Sequence, residues 1–140
     1  MAAPIVVGRY LVCDPIGGGG MATVHLGRIL GAAGFSRVVA IKRLHPASAR
    51  EPELVAMLAD EARLVSRVRH PNVVPVLDVV TQNRELLLVM EYVHGASLSW
   101  LLNALRSRAE RIPLPIAIRI VLDMLAGLQA AHEARSERGR

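Results

Sequence analysis

The feature that most constrains this chain is a run of four consecutive glycines, Gly17 to Gly20, set between apolar segments that include Leu11, Val12, Ile16, Val24 and Leu26. Each glycine inside regular structure costs about 0.5–1 kcal/mol relative to alanine, so four together require a reason. A flexible linker is polar and serine-rich, unlike these flanks. Two readings remain. One is a tight turn between two strands. The other is backbone that must approach a ligand with no Cβ in the way, offering its N–H groups to phosphate oxygens. The glycines alone do not separate them.

On either side of the run, Arg9–Ile16 and Thr23–Leu30 are short, β-branched and partly alternating, which predicts an antiparallel hairpin. Gly31–Gly34 reads as a turn, and Arg37–Leu44 as a third strand that Pro46 ends. The spacing then predicts a helix over Glu51–Val68, with Glu51 and Glu53 at its positive end, Arg67 and Arg69 at its close, and Pro71 beyond. At about 100° per residue, Leu54, Leu58, Val65 and Val68 fall on one face. Glu61 falls inside that arc. A carboxylate there is costly to desolvate unless a cation meets it or it stays partly wet; the bland alternative is an acid at the edge of a wider apolar face.

After the turn His70–Val74, the stretches around Val76–Val80 and Glu85–Val93 predict two further strands. The unbroken run Leu86–Met90 suggests burial on both faces. The first part therefore reads β-β-β-α-β-β, with a boundary at residues 91–96. Ser97 is placed to cap a short helix through Leu105, Ser107–Arg111 is a charged loop, and a second long helix is expected over Pro115–Glu133. That helix carries Ile116, Ile120, Met124 and Leu128 on one face, with Ala117, Val121 and Leu125 beside them. A helix apolar over most of its circumference needs cover on several sides, yet only the seven residues Ala134–Arg140 follow it.

Composition narrows the function classes. A chain of 140 residues, 52% apolar, is long enough for one cored domain or part of a larger one. Of its 17 basic residues 16 are arginine, which leaves Lys42 as the only lysine. The arginines are scattered and not interleaved with the four aromatics (Tyr10, Phe35, Tyr92, Trp100), so no nucleic-acid platform is expected. The lone Cys13 permits neither an internal disulfide nor a cysteine metal site, which suits a reducing, cytoplasmic setting. Met1–Arg9 lacks the charged and apolar regions of a secretory signal. The most hydrophobic later stretch, Ile112–Ala131, contains Pro113, Pro115, Arg119 and Asp123, which fit poorly with the roughly 20 apolar residues of a bilayer span. No membrane segment is expected in this chain.

With these residues in hand, the chain resembles the protein kinase family over roughly residues 9 to 133. Gly17-x-Gly19-x-x-Ala22-x-Val24 looks like the glycine-rich loop over the ATP phosphates, with Ala22 in place of the third glycine. Val39-Ala40-Ile41-Lys42 matches the V-A-I-K motif of the third strand. Glu61 looks like the helix acid that pairs with this lysine, and Leu88–Val93 is similar to the end of the fifth strand and the hinge. Gly19–Val24 looks especially like bacterial serine/threonine kinases.

The resemblance implies an α+β fold, a five-stranded antiparallel sheet with one long helix at residues 9–93. A hinge and two helices of an incomplete α-helical lobe would follow at 94–140. It implies that ATP meets Ile16, Gly17, Gly18, Gly19, Gly20, Met21, Ala22, Val24 and Ala40, with Met90 as gatekeeper and the backbone of Glu91 and Val93 at the adenine edge. Lys42 would hold the α- and β-phosphates, Glu61 would hold Lys42, and Mg²⁺ is implied only with ATP. The acceptor would be a protein hydroxyl.

The departure from the pattern is as plain. His-Arg-Asp-x-x-x-x-Asn and Asp-Phe-Gly do not occur within these 140 residues, so the polypeptide by itself is expected to be inactive in phosphoryl transfer. A non-catalytic, pseudokinase-like or truncated lobe that acts by contacting a partner is the alternative. A nicotinamide oxidoreductase also matches Gly-x-Gly-x-x-Ala, but that fingerprint opens a helix and wants an acid about 20 residues on. Here a strand follows, and Lys42 stands where the acid would be.

Overall fold

The computed structural model describes residues 3–82 and 85–136. Residues 1–2, 83–84 and the last four of the tail expected at 134–140 lie outside the described residues, and 134–136 continue the last helix. The strands are β1 (Ile5–Val7), β2 (Tyr10–Gly18), β3 (Ala22–Leu30), β4 (Ser36–Leu44), β5 (Val76–Gln82) and β6 (Glu85–Glu91), and the helices α1 (Pro52–Val65), α2 (Leu98–Ser107) and α3 (Leu114–Ser136). All strand pairs are antiparallel, in the order β1-β2-β3-β4-β6-β5.

The sheet has six strands where five were expected. The addition is β1, which lies on β2 with Ile5 opposite Val12. Three apolar residues before a glycine carry too little periodicity to announce a strand, and it is Gly8, at φ 58°, that turns the chain back. Helix α1 is shorter than expected. It begins with Pro52 in its first turn, where a missing N–H costs nothing, and ends at Val65. The next residues continue in i→i+3 bonds, Arg67 N to Leu64 O and Val68 N to Val65 O, so the apolar period runs on past the helix. Val68 is accordingly buried, but off the helix; the buried residues of α1 itself are Leu58 and Ala62.

The strand period of two places alternate residues on opposite faces, and β6 buries both. Leu87 and Val89 pack with Tyr10, Val12, Val39 and Ile41 in one cluster. Leu86 and Leu88 pack with Ala22, Leu44, Leu58 and Ala62 in another, which fixes α1 against the sheet. The first cluster leaves no room beside Gly27. A Cβ there would collide with the Ile41 side chain and lie 3.0 Å from the Leu11 carbonyl oxygen. Gly27→Ala is expected to cost about 1–3 kcal/mol through forced repacking, measured as a lower urea midpoint; an unchanged midpoint would contradict the close approach.

The two outer parts of the sheet meet. Asp78 on β5 accepts hydrogen bonds from the Tyr10 hydroxyl and, at 3.0 Å, from Arg9 Nη2, joining residues 68 apart in sequence. The Tyr10 hydrogen bond, with Arg9 assisting, holds the Asp78 carboxyl below its usual range, while burial foremost pushes the Tyr10 phenol up. A depressed carboxylate pKa contributes stability that is present above the unfolded value, 3.8, and is lost as pH falls through the lower folded value. Asp78→Asn is expected to flatten the acid limb of the stability-versus-pH curve below about pH 4. Chemical denaturation from pH 2 to 7, roughly, reads this, and an identical acid limb in wild type and variant would refute it.

Helix α3 docks through the turn before β5. Asn72 Nδ2 donates to the Asp123 carbonyl oxygen at 2.9 Å, and a Cβ on Gly127 would approach the Asn72 carbonyl oxygen to 3.0 Å. Most of its other faces are open: Ile116, Ile118, Val121, Leu122, Met124, Leu125 and Leu128 are each at least half exposed. By length and composition, Leu114–Ala134, with mean hydropathy 1.6, suffices to cross a membrane. The prolines do not prevent this, contrary to expectation, because Pro113 precedes the helix and Pro115 lies in its first turn. Core helices of soluble proteins meet the same criterion, so the helix does not establish a membrane segment.

Candidate nucleotide site

Pairing across the sheet gathers the candidate residues. Gly17 lies opposite Val24, Val24 opposite Lys42, and Lys42 opposite Leu88, so one row crosses four strands. Directly opposed residues project to the same face, which puts Val24, Lys42 and Leu88 on the face that packs on α1. The next row on that face is Leu26, Ala40 and Met90. Strands stand about 4.8 Å apart, so the glycine backbone passes within roughly two strand spacings of Lys42.

Lys42 Nζ donates to both carboxylate oxygens of Glu61, at 2.8 Å each. The Lys42 side chain is 24% exposed and that of Glu61 44%. The acid in the apolar arc of α1 thus has a cation and also remains partly wet. At about 4 Å and an effective dielectric near 20, such charges attract by roughly 4 kcal/mol before desolvation; for a pair this exposed the net is nearer 0–1 kcal/mol. The pair therefore contributes placement more than stability: it holds the chain's only lysine over one face of the sheet.

The turn above it is open. Gly17 and Gly18 close β2, Gly19 N donates to Ala22 O at 2.9 Å, and the strand resumes at Ala22. None of the four glycines has positive φ, and a Cβ on Gly17, Gly19 or Gly20 would meet nothing within 4 Å. Neither dihedral strain nor crowding within the chain demands glycine at these three positions. Ile16 and Met21, at the two ends of the turn, are 49% and 42% exposed.

The far end of the face is formed by Met90, half-buried, and the chain leaving β6. The Glu91 amide donates to the Pro75 carbonyl oxygen at 3.0 Å, and its carboxylate stands 4.0 Å from Arg37. Val93 lies beyond the strand and is 63% exposed. Among the described residues its amide makes no backbone hydrogen bond outside the ladders, which leaves a donor free at the rim. Val24, Ala40, Lys42 and Met90 thus share one face of the sheet, with the glycine turn at one end and the exit from β6 at the other, while Glu91, opposite Val39, projects its side chain to the other face.

The residue set fits a nucleotide's phosphates in its chemistry: a lysine cation, free backbone around the glycines, and small or apolar side chains at Val24 and Ala40. Among the described residues no group of three or more His, Cys, Asp or Glu side chains comes together. Sequence reasoning missed the residue that fastens the glycine turn, His45. Its amide donates to Met21 O at 3.0 Å and its Nε2 lies 2.8 Å from Thr23 Oγ1; neither contact has a periodic signal. A hollow of about 370 Å³ beside Glu61, lined by Met57 and Leu64 of α1, Arg67 just beyond its end and Ala134 of α3, was likewise invisible.

The protein kinase domain family matches residues 10–136. The tyrosine-protein kinase MasK of Myxococcus xanthus is 36% identical over 133 residues, covering 95% of this chain and 21% of that protein. The serine/threonine-protein kinase PksC of Streptomyces coelicolor is 35% identical over 130 residues, covering 90% and 23%. The kinase domain of Mycobacterium tuberculosis PknI superposes with a TM-score of 0.71 at 25% identity, covering 95% of this chain and 52% of that domain. The chain thus spans about a fifth of these curated relatives and about half of the solved domain. On the family match and the order of its motifs, the chain belongs to the protein kinase domain family.

Proposed function

We propose that this chain is the ATP-binding portion of a serine/threonine protein kinase, which transfers the γ-phosphate of ATP to protein hydroxyls. Residues 9–93 form the nucleotide lobe and 94–140 the start of the helical lobe. Ile16, Gly17, Gly18, Gly19, Gly20, Met21, Ala22 and Val24 cover the phosphates, and Ala40 and Met90 line the adenine. The backbone of Glu91 and Val93 meets the adenine edge. Lys42 neutralises the α- and β-phosphates, and Glu61 holds Lys42 in place. A portion that draws on intracellular ATP would work in the cytoplasm. Serine/threonine specificity follows PksC rather than MasK, whose name assigns it to tyrosine, and rests on the Gly19–Val24 sequence.

The observation that supports this reading most is the bidentate Lys42–Glu61 pair, in the same strand row as Gly17, with no crowding within the chain to require glycine at 17, 19 or 20. Mg²⁺ would come with the nucleotide, held by carboxylates that these residues do not supply. Calorimetric titration with ATP, AMP and adenosine tests the reading: affinity is expected to fall as phosphates are removed. Equal affinity for adenosine and ATP, or no binding of either, would refute it. The 140-residue polypeptide, which lacks the aspartate that accepts the substrate hydroxyl proton, is expected to transfer no phosphate to any peptide, and measurable incorporation would show otherwise. The second reading, a non-catalytic lobe that engages a protein partner, is favoured by the open apolar faces of α3.

A further inference from the structure

We infer that His45 is a positioning residue for the glycine turn, fastening its outgoing limb from behind so that the nucleotide face stays clear. The inference rests on the proposed nucleotide reading. The ladder between β3 and β4 ends with Ala22 opposite Leu44, one residue short of the turn. His45 carries the attachment beyond it, with its amide on the Met21 carbonyl oxygen at 3.0 Å. Its ring makes the second attachment, Nε2 to Thr23 Oγ1 at 2.8 Å, and the contact is partly buried. Its own carbonyl makes the third, accepting from Ala49 N at 2.8 Å, in the segment that leads into α1. One residue thus ties the outgoing limb of the glycine turn to the lead-in of the helix that bears Glu61.

The faces matter. Thr23 alternates with Ala22 and Val24, so its side chain projects away from the face that carries Val24 and Lys42. The ring of His45 therefore holds the strand without occupying the space over Lys42. The β2–β3 ladder pairs Gly17 with Val24 and Gly18 with Thr23; beyond it the turn has only Gly19 N to Ala22 O, and a backbone with no side chains is costly to order. A donor aimed at a phosphate is effective only where its position is fixed before the ligand arrives. Fastening Met21 and Thr23 limits the free segment to Gly19 and Gly20.

Two measurements on the 140-residue chain test this: amide hydrogen exchange of residues 19–24 without ligand, and the Kd values of ATP and adenosine. Thr23→Val removes the hydroxyl and keeps the β-branched shape; His45→Ala removes the ring and leaves the backbone bonds. Each is expected to speed exchange of the turn amides and to weaken ATP about two- to tenfold, the range of one lost hydrogen bond, with adenosine unchanged. The double variant should do no more than either single one, and Thr23→Ser should restore wild-type values. Unchanged exchange and ATP affinity in both single variants would overturn the inference, as would equal weakening of ATP and adenosine, which marks general loosening. If wild type binds no nucleotide, the nucleotide reading fails, while faster exchange in both variants would still establish the fastening role.

Discussion

Lys42→Met is expected to weaken ATP binding by about ten- to a hundredfold and to leave adenosine affinity where it was. A hydrogen bond to a charged group contributes about 1.5–3 kcal/mol, and each 1.4 kcal/mol is a factor of about ten in Kd. Methionine keeps the length and apolar stem of lysine, so the variant removes the cation with little change in packing. The Glu61 carboxylate loses its partner, but at 44% exposure it returns to water, and stability is expected to fall by no more than about 1 kcal/mol. Glu61→Gln keeps the side-chain shape and leaves Lys42 charged but less firmly held, so a smaller loss, about three- to tenfold, is expected. Because Glu61 acts through Lys42, the double variant should bind ATP no worse than Lys42→Met alone, the non-additivity of groups that share one interaction. Equal ATP affinity in wild type and Lys42→Met, measured by titration calorimetry, would remove Lys42 from the site.

Why this pair is legible in the sequence, and other contacts are not, is a matter of range. Lys42, within the nine residues of β4, is singled out by the resemblance of Val39-Ala40-Ile41-Lys42 to the family motif. Glu61 stands out because a helical wheel puts a carboxylate beside Leu54, Leu58 and Val65. The wheel calls for a cation without naming it, and the resemblance supplies Lys42 as that partner. The burial of β6 was equally legible, since Leu86–Val89 leaves no polar face. The clasp of Tyr10 and Arg9 on Asp78 has no such signal: an aspartate in a strand next to valines reads as a solvent-facing residue until the sheet curls and brings β2 to β5. The same holds for His45 and Thr23, 22 residues apart, and for β1, whose three residues are too few to show a period. The end of α1 was misplaced because hydrophobic spacing reports which side chains are buried, not which backbone bonds are i→i+4. Val68 satisfies the first and not the second.

The apolar exposure of α3 sets the second large expectation, that the 140-residue polypeptide self-associates. Leu114, Ile116, Ile118, Val121, Leu122, Met124, Leu125 and Leu128 are all at least half exposed on one helix, and contiguous apolar surface of this kind is rare on monomeric soluble proteins. Light scattering after size exclusion is expected to show concentration-dependent oligomers at about 100 μM, where exposed apolar surface drives association. Replacing Ile118, Leu122 and Leu125 together by glutamine removes apolar surface at positions that contribute little to the fold. The triple variant should therefore be closer to monomeric and retain the wild-type unfolding midpoint within about 0.5 kcal/mol per site. Vesicle flotation separates the bilayer alternative, since a helix that inserts would carry wild type to the lipid layer and leave the variant behind. A wild-type chain that is monomeric at this concentration and does not float would mean that these side chains are covered within the chain itself, and both the interaction reading and the openness of α3 would fail with it.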